Sequence, residues 1–375
     1  MTTSRGLRGP RPNSGSTRSR IGLAAVGISI VLAGSACGTG AVEAPPTEPG
    51  TASSAATGPG PSGSTTTAPE HPLVQRLSGE VSVAAAVPHL QALQRIADEN
   101  GGNRATGTPG YAASVEYVAG VLREAGFEVS TPTYETSDDD DAPVRGRNVI
   151  AQTRTGDPGR VVMIGAHLDS VPEGPGIVDN GSGVASLLEI AGRLGAEPDV
   201  RNAVRFAFFD DEESGAVGSA AYVEGLSDEE RGRIRLYLNV DMVASPNAGY
   251  FAQGGAGDDP ETAGPAGSAT IGRVLADQLA RTGAADPEII EFVGDDESPF
   301  IEAGIPVGGA ENGDDEEKTS AQAGAWGGEA DQVYDRCYHQ ACDRVENVNQ
   351  EVLGHYLPAL AGTLAHFATS AEELG

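Results

Sequence analysis

The residues of this sequence best suited to chemistry are histidine and carboxylate side chains that follow predicted strands. His167 comes directly after the apolar run 160–166, which is typical of a strand covered on both faces. Asp169 lies two residues further on, and Asp179 occupies the glycine-rich loop 176–183 that opens a predicted helix. In an open α/β sheet, ligands gather beyond the carboxyl ends of the strands. Imidazole and carboxylate together are ligands that suit zinc or a similar divalent ion.

The next two predicted strands also deliver acids. The apolar strand 204–209 runs into consecutive carboxylates, of which Glu212 and Glu213 are the last two. The strand predicted at 236–243 contains Asp241 close to its end. Like charges this close repel each other unless water or cations separate them. Successive strands that each bring a histidine or an acid to the same edge predict a metal centre rather than surface decoration.

A second histidine of interest stands near the C-terminus. His339 follows Tyr338, and Cys337 and Cys342 bracket the pair, so these cysteines could close a small, stiff loop in an oxidising compartment. Two histidines and three acids fit two zinc ions that share one bridging carboxylate. Two metals about 3.5–4 Å apart can hold a nucleophilic water and polarise a carbonyl group. The two adjacent glutamates then offer one general base and one ligand.

The other histidines and the acidic run 138–141 show no such pattern. His71 lies in a stretch predicted to be a tether, and His89, His355 and His366 lie in helical segments without acids at ligand spacing. We expect surface or capping roles for them. The acidic run is predicted to be a solvated loop, because the glycine and the spaced ligands of a calcium loop are missing.

Apolar periodicity predicts the elements that would position these residues. Helices are predicted at 84–99, 110–126, 182–195, 215–226, 268–282 and 349–369. Strands are predicted at 149–151, 160–166, 204–209, 236–243, 288–293 and 305–307. The glycine-rich segment 324–328, which contains Trp326, is expected to be loop. Strands that alternate with helices predict a three-layer α/β domain with a mostly parallel central sheet.

The N-terminus has the composition of an export signal. Residues 1–20 contain arginines and no acid, and an apolar run at 21–34 leads to Cys37. Small residues before this cysteine resemble a bacterial lipobox, although the match is imperfect. Cys37 is the odd cysteine of the chain, which favours a lipid anchor on the outer face of the cell membrane. The alternative is cleavage after Ala36 and secretion of a protein that has no membrane contact.

Composition divides the chain further and limits its partners. Gly, Ser, Thr, Pro and Ala dominate 38–72, which is predicted to be a disordered tether between the signal at 1–37 and a folded domain at 73–375.

The chain has 24 Lys and Arg against 54 Asp and Glu, which gives a net charge of −30. Nucleic-acid binding needs clustered positive charge, so the composition argues against nucleic acid as the main partner.

Ordered segments of the sequence resemble peptidase family M28, and in particular its secreted Streptomyces-type zinc aminopeptidases. The segments are Asn100–Arg104 with Thr108–Tyr111, Gly165–Ser170, Asp179–Gly183, Glu212-Glu213, Leu238–Met242 with Ser245–Asn247, and Trp326–Asp343. The resemblance runs over about residues 84–350 in the same order. It implies a single α/β/α sandwich with a mixed, mainly parallel central sheet of about eight strands, as in zinc exopeptidases.

The resemblance also implies a role for each site residue. It implies that His167 and Asp241 bind one zinc ion and that Glu213 and His339 bind the other. Asp179 would bridge the two ions. Glu212 would be the general base that acts on the bridging water, and Tyr338 would donate a hydrogen bond to the tetrahedral oxyanion. A cis peptide bond before Asn180 and a disulfide between Cys337 and Cys342 are implied as well.

One segment departs from the family pattern. Relatives carry an arginine and then Ser-Asp-His before Pro-Phe in the substrate pocket, whereas the stretch here is Gly294–Phe300, which retains Asp296 but neither the arginine nor the histidine. The side-chain preference is therefore left open, while the metal chemistry is retained. The spaced aspartates that bind calcium in some relatives are missing from 350–355.

We expect an exported two-zinc aminopeptidase that acts as a monomer and removes N-terminal residues, apolar ones first, from peptides with a free N-terminus. Two other reactions stay open on this fold, namely a zinc carboxypeptidase and a glutaminyl cyclase that uses one zinc ion. A binding module without catalysis is the last alternative. It ranks lowest because the full ligand set and Glu212 are intact.

Overall fold

The computed structural model describes residues 70–137, 143–255 and 263–374. The predicted signal at 1–37 with Cys37, nearly all of the tether predicted at 38–72, and the acidic run 138–141 lie outside these described residues. Among the described helices, none combines the length and the apolar character needed to cross a membrane.

An eight-stranded mixed sheet forms the centre of the domain. The strands of the chain are β1 (Glu128–Ser130), β2 (Thr133–Ser137), β3 (Pro143–Arg147), β4 (Val149–Gln152), β5 (Asp157–His167), β6 (Asn202–Phe209), β7 (Ile234–Val240), β8 (Phe251–Gln253), β9 (Glu288–Ile290) and β10 (Val307–Glu311). The order across the sheet is β1-β4-β6-β5-β7-β10-β8-β9, and β2 pairs with β3 outside it. The middle strands β6, β5, β7 and β10 are parallel, and β4 and β8 flank them in the antiparallel direction.

Helices cover both faces of this sheet. They are α1 (Pro72–Glu80), α2 (Val83–Glu99), α3 (Pro109–Glu124), α4 (Gly181–Leu194), α5 (Val217–Gly225), α6 (Asp228–Arg233), α7 (Ser268–Arg281), α8 (Ser298–Glu302), α9 (Ser320–Trp326) and α10 (Gln350–Thr369). Alternate residues of β5 belong to two separate apolar cores, because successive side chains of a strand point to opposite faces.

Val162 and Ile164 pack in the larger core, which α1, α2, α3, α4, α7 and α10 share. Val161 and Met163 pack in the smaller core with residues of α5 and α8, such as Phe300. A sheet that is buried on both faces explains why its central strands are continuous apolar runs. The three layers and the mixed, mainly parallel sheet confirm the predicted fold class.

Most predicted elements lie where the sequence placed them, but several predictions need correction. The strands predicted at 236–243 and 288–293 end earlier, at Val240 and Ile290, so Asp241 follows its strand. The segment 324–328 is not all loop, because α9 extends to Trp326. Thr319 and Gln322 form a capping box at the start of this helix, and Trp326 packs edge-on against Phe251 with ring centroids 5.2 Å apart. The last strand begins at Val307, where the apolar stretch 305–307 ends, and continues through two glycines.

Candidate metal centre

The centre lies at one edge of the sheet, beyond the carboxyl ends of three neighbouring parallel strands. β5 ends at His167, β7 ends directly before Asp241, and β6 ends at Phe209, shortly before Glu212. β5 lies between β6 and β7, and its register with β6 pairs His167 with Phe209. Parallel neighbours end at the same edge, so the sheet itself brings these side chains together.

His167 and two carboxylates form the first half of the centre. The Nε2 atom of His167 lies 3.1 Å from Oδ1 of Asp179 and 3.5 Å from Oδ2 of Asp241. On the other side of the ring, Nδ1 lies 3.5 Å from Oδ1 of Asp169. His167 is only 2% exposed, so this half is closed to solvent.

His339 and Glu213 form the second half. The Nε2 atom of His339 lies 2.8 Å from Oε2 of Glu213 and 3.2 Å from Oδ2 of Asp179. Asp179 therefore presents one carboxylate oxygen to His167 and the other to His339. The side chain of His339 is 37% exposed, so the second half opens to solvent.

The residues present fit a divalent metal. Oε1 of Glu213 and Oδ1 of Asp241 are buried and have no hydrogen-bond partner among the described residues. Unpaired buried carboxylate oxygens cost free energy, which a cation would offset. Ligand atoms of His167, Glu212 and Asp241 lie within 4.8 Å of one another, as do those of His167, Asp179 and Glu213. Such sets of nitrogen and oxygen donors are typical of zinc sites.

The pKa values of the buried carboxylates are shifted in opposite directions, because burial raises them and neighbouring histidines lower one of them. Burial, and then the charge of Asp179, raises the pKa of Glu213 to about 7. Burial also raises the pKa of Glu212 well above its usual range. Burial opposes ionisation of Asp179 too, but hydrogen bonds with His167 and His339 outweigh it and hold the pKa of Asp179 below its usual range. Asp179 is thus the anion best stabilised by its neighbours, whereas Glu212 is disposed to accept a proton.

Asn180 fixes the loop that carries Asp179. The Asp179–Asn180 peptide bond is cis. The Asn180 side chain donates through Nδ2 to the carbonyl of Val240 at 2.8 Å and accepts the N–H of Gly183 at 3.0 Å through Oδ1. Asn180 is also the N-cap of α4. It therefore joins the end of β7 to the start of α4 and holds Asp179 close to Asp241.

The two glutamates are held through their backbone. The carboxylate of Asp169 accepts the N–H of Glu212 at 3.2 Å and the N–H of Glu213 at 3.3 Å. Asp211, directly before them, has a left-handed backbone with φ of 62°. Residues other than glycine rarely have a positive φ, and those that do cluster at functional sites. His339 shares this conformation with φ of 55°.

Tyr338 lies beside His339 on the solvent side of the centre. Their rings stack with centroids 3.8 Å apart. Burial, and then the charge of Asp179, raises the pKa of Tyr338, so its hydroxyl keeps its proton at neutral pH. A disulfide between Cys337 and Cys342 closes the loop that carries both rings, with Cα atoms 5.3 Å apart, and confirms the implied pairing.

A buried arginine supports the loop that follows β5, and sequence reasoning missed this role. Arg104 is fully buried. Its guanidinium donates to the carbonyl of Pro175 at 2.9 Å and to the carbonyls of Leu168 and Gly176. Arg104 belongs to a segment that carries the family resemblance, but nothing in the sequence shows that its charge is buried under the ligand loop.

The segment 294–298, where the sequence departs from the family pattern, borders the centre with further acids. Burial, and then the charge of Asp241, raises the pKa of Asp295 well above its usual range. Glu297 is fully buried and accepts the N–H groups of Gly294 at 2.9 Å and Asp295 at 3.3 Å. Burial raises the pKa of Asp296 to about 8. This stretch adds three acids and no basic residue to the border of the centre, so it favours a positively charged group there.

The other histidines have structural contacts. The ring of His71 accepts a backbone N–H at the start of α1, just ahead of the residue where the folded domain was predicted to begin. Nδ1 of His89 lies 2.7 Å from the hydroxyl of Tyr117, and Nδ1 of His355 lies 3.1 Å from the carbonyl of Thr282. His71 thus has a capping role, whereas His89 and His355 are half-buried and contact other elements, which differs from the surface role expected for them.

A mainly parallel α/β sheet with histidines and carboxylates gathered at its carboxyl edge is the arrangement that the sequence resemblance implies. The sequence profile of peptidase family M28 matches residues 148–364, which is more than half of the chain. The chain belongs to this family.

Relatives of known description share much of the sequence. Leupeptin-inactivating enzyme 1 of Streptomyces exfoliatus is 43% identical over 288 residues, which cover 75% of this chain and 61% of that protein. The probable lipoprotein aminopeptidase LpqL of Mycobacterium tuberculosis is 34% identical, over 74% of this chain and 83% of the relative. An aminopeptidase of Pseudomonas aeruginosa is 46% identical over 57% of this chain but only 40% of its own length. The chain thus spans less than two thirds of the first and the third of these proteins.

Solved structures share the fold. BSAP, a zinc aminopeptidase from Bacillus subtilis, superposes with a TM-score of 0.62 at 17% identity, over 78% of this chain and 96% of that one. The glutaminyl cyclase of Porphyromonas gingivalis superposes with a TM-score of 0.60 at 22% identity, over 76% of this chain and 98% of that one. Because both reactions occur on one fold, the fold alone does not choose between them.

Proposed function

We propose that this protein is an exported two-zinc aminopeptidase that removes the N-terminal residue from peptides with a free N-terminus. The observation that carries the proposal is Asp179, whose two carboxylate oxygens contact His167 and His339 separately, at 3.1 and 3.2 Å. A carboxylate shared in this way is suited to bridge two ions. The aminopeptidases among the relatives support the reaction type.

The ligand set divides between the two ions by its contacts. His167 and Asp241 hold one ion, because their side chains meet at the ends of β5 and β7. Glu213 and His339 hold the other, and Asp179 bridges the two. When bound, zinc lowers the pKa of a coordinated water and polarises the scissile carbonyl.

Glu212 is the proposed general base. One carboxylate oxygen of Glu212 lies within 4.8 Å of ligand atoms of His167 and Asp241. Its backbone N–H donates to the carboxylate of Asp169. Burial raises the pKa of Glu212, so its carboxylate can take a proton from water and later give it to the leaving amine. The charge of His167 lowers the pKa of Glu212, and the charges of Asp296 and Asp241 raise it, so its protonation depends on these neighbours.

Tyr338 is the proposed donor to the oxyanion that develops on the attacked carbonyl. Its ring is fixed by stacking on His339, and the disulfide loop fixes both. A tyrosine hydroxyl is protonated at neutral pH, and burial raises the pKa of Tyr338 further, so it can donate a hydrogen bond when negative charge appears.

The acids around the centre suit the positive N-terminus of a peptide. Asp295 and Glu311 lie close enough to Asp241 for its charge to raise the pKa of both, after the larger effect of burial. An ammonium group placed among them neutralises part of this repulsion. A substrate blocked at the N-terminus lacks that charge and is expected to be a poor substrate.

The direct test is the zinc content of the purified full-length protein together with activity on leucyl-p-nitroanilide, before and after chelation. Two zinc ions per chain, with activity lost on chelation and regained on adding zinc, support the proposal. N-acetylleucyl-p-nitroanilide should stay uncleaved. Cyclisation of an N-terminal glutaminyl peptide, or release of a C-terminal residue from an N-blocked peptide, would replace the proposal by the cyclase or the carboxypeptidase.

We also propose that a lipid on Cys37 anchors the folded domain to the outer face of the membrane, and that the domain acts as a monomer. The name of the mycobacterial relative supports a lipoprotein. The cysteine count also supports it, because the chain has three cysteines and Cys337 and Cys342 are joined to each other. Labelling of the expressed protein with a fatty acid should depend on Cys37. If Cys37→Ser is labelled as strongly as the wild type, the anchor is elsewhere.

The proposed monomer is tested by light scattering at several protein concentrations, which gives the molar mass of the protein in solution.

A further inference from the structure

The ligands of the second metal position come from loops that are far apart in the chain. Asp179 lies in the loop before α4, and His339 lies in the disulfide loop near the C-terminus. By contrast, His167 ends β5 and Asp241 directly follows β7, and the ladder hydrogen bonds between these paired strands fix their spacing. The second position therefore depends on whatever holds the two loops together.

Asp343 supplies this connection. Its carboxylate accepts the N–H of Val178 at 2.8 Å through Oδ1 and the N–H of Asp179 at 3.1 Å through Oδ2. Its own carbonyl accepts the N–H of Ile177 at 3.3 Å. Asp343 directly follows Cys342, which ends the disulfide loop, and is only 2% exposed. One residue thus binds three successive N–H groups that lead up to the shared ligand.

The backbones of the two loops also touch. A Cβ atom at Gly174 would collide with the carbonyl oxygen of Gln340, next to His339. The loops can approach this closely only because residue 174 is glycine. Gly174 and Asp343 therefore act at two separate points of the same contact.

We propose that Asp343 is a positioning residue that locks the loop of Asp179 against the loop of His339 and thereby sets the affinity of the second metal position. The inference rests on the proposed two-zinc function, because it assumes that Asp179 and His339 share an ion. Removal of a hydrogen bond that orients a metal-ligating residue typically weakens metal affinity by about 10–100-fold.

Asp343→Asn keeps the shape of the side chain but replaces one acceptor oxygen by a donor, which faces a backbone N–H. Zinc affinity is measured for the full-length protein by competition with a chromogenic chelator, which gives a dissociation constant for each ion. We expect one affinity to fall by about 10–100-fold and the other to fall by clearly less, because His167 and Asp241 remain fixed by the paired strands while both ions share Asp179. The loss of kcat at stoichiometric zinc should be recovered in excess zinc, which a mere loss of folding would not allow.

Gly174→Ala tests the same contact without changing any polar group, and it should also weaken one ion selectively. Asn349→Ala is the matched control, because the Asn349 side chain also accepts two consecutive N–H groups, those of Glu351 and Val352. It should lower Tm and leave both zinc affinities unchanged. If both loop variants bind two ions as tightly as the wild type, or lose both affinities equally, the inference is wrong. A wild type that binds fewer than two zinc ions refutes the proposed function instead.

Discussion

Replacement of Glu212 by glutamine separates the role of a base from the role of a ligand. The ligand atoms of Glu212 lie within 4.8 Å of those of His167 and Asp241, so distance alone allows both roles. Glutamine has the same shape but cannot take up a proton at neutral pH. The backbone of residue 212 is held independently, because its N–H donates to Asp169 at 3.2 Å. The substitution should therefore leave the geometry of the centre in place.

The expected loss follows from the contribution of general-base catalysis, which is typically about 10²–10⁴-fold in rate. At about 1.36 kcal/mol for each factor of ten, the barrier rises by about 2.7–5.4 kcal/mol. We expect Glu212→Gln to lose kcat by this factor and to keep two zinc ions per chain, with KM and Tm close to those of the wild type. Zinc content, steady-state kinetics on leucyl-p-nitroanilide and thermal unfolding give these quantities.

Glu213→Gln is the matched comparison, since the two residues are neighbours and both have a pKa raised by burial. Glu213 contacts His339 at 2.8 Å, and its loss should cost a zinc ion as well as activity. The assignment fails if Glu212→Gln keeps more than about a tenth of the wild-type kcat, given the factor expected of a base. It also fails if Glu212→Gln loses an ion as Glu213→Gln does, because Glu212 is then a ligand.

Three further predictions concern the oxyanion, the buried arginine and pH. Tyr338→Phe should lower kcat by about 10²–10³-fold with unchanged zinc content and Tm, and a loss of less than about fivefold would remove Tyr338 from the oxyanion role. Arg104→Met leaves three carbonyls without their donor, and each unsatisfied carbonyl costs about 1–3 kcal/mol of stability. The free energy of unfolding in urea should therefore fall by at least about 3 kcal/mol. An unchanged unfolding midpoint would contradict this. Burial raises the pKa of Glu311 and of Asp210 to about 8, so the folded metal-free protein binds protons that the unfolded chain releases near about pH 4. The stability of the metal-free protein must then fall as the pH rises between these two values. After chelation, the protein should melt at a higher temperature at about pH 5.5 than at about pH 8. The reverse order would refute the raised pKa values of Glu311 and Asp210.

The sequence predicted the central strands well because their apolar runs are continuous. The second half of β5 and most of β6 and β7 are buried on both faces, so most of these positions must be apolar. The hairpin β2–β3 escaped prediction for the opposite reason. Thr133–Ser137 and Pro143–Arg147 are rich in polar residues and pair with each other outside the main sheet.

The candidate site shows the same limit. Residues that follow strong strands, such as His167 and Asp241, could be placed from local pattern alone. Arg104 and Asp343 could not be assigned roles, because their partners lie about 64–165 positions away in the chain and are backbone groups without a sequence signature. A buried charge that binds backbone atoms leaves no periodicity, so only the folded structure reveals it.

The disulfide between Cys337 and Cys342 also makes the proposed centre sensitive to the redox state of its surroundings. Where cellular thiols keep cysteines reduced, as in the cytosol, the loop that carries Tyr338 and His339 lacks its covalent closure. The proposed ligand His339 and the proposed oxyanion donor Tyr338 would gain this constraint only in an oxidising compartment. On the export route proposed above, the loop would close in the same step that separates the chain from the peptides of its own cytosol.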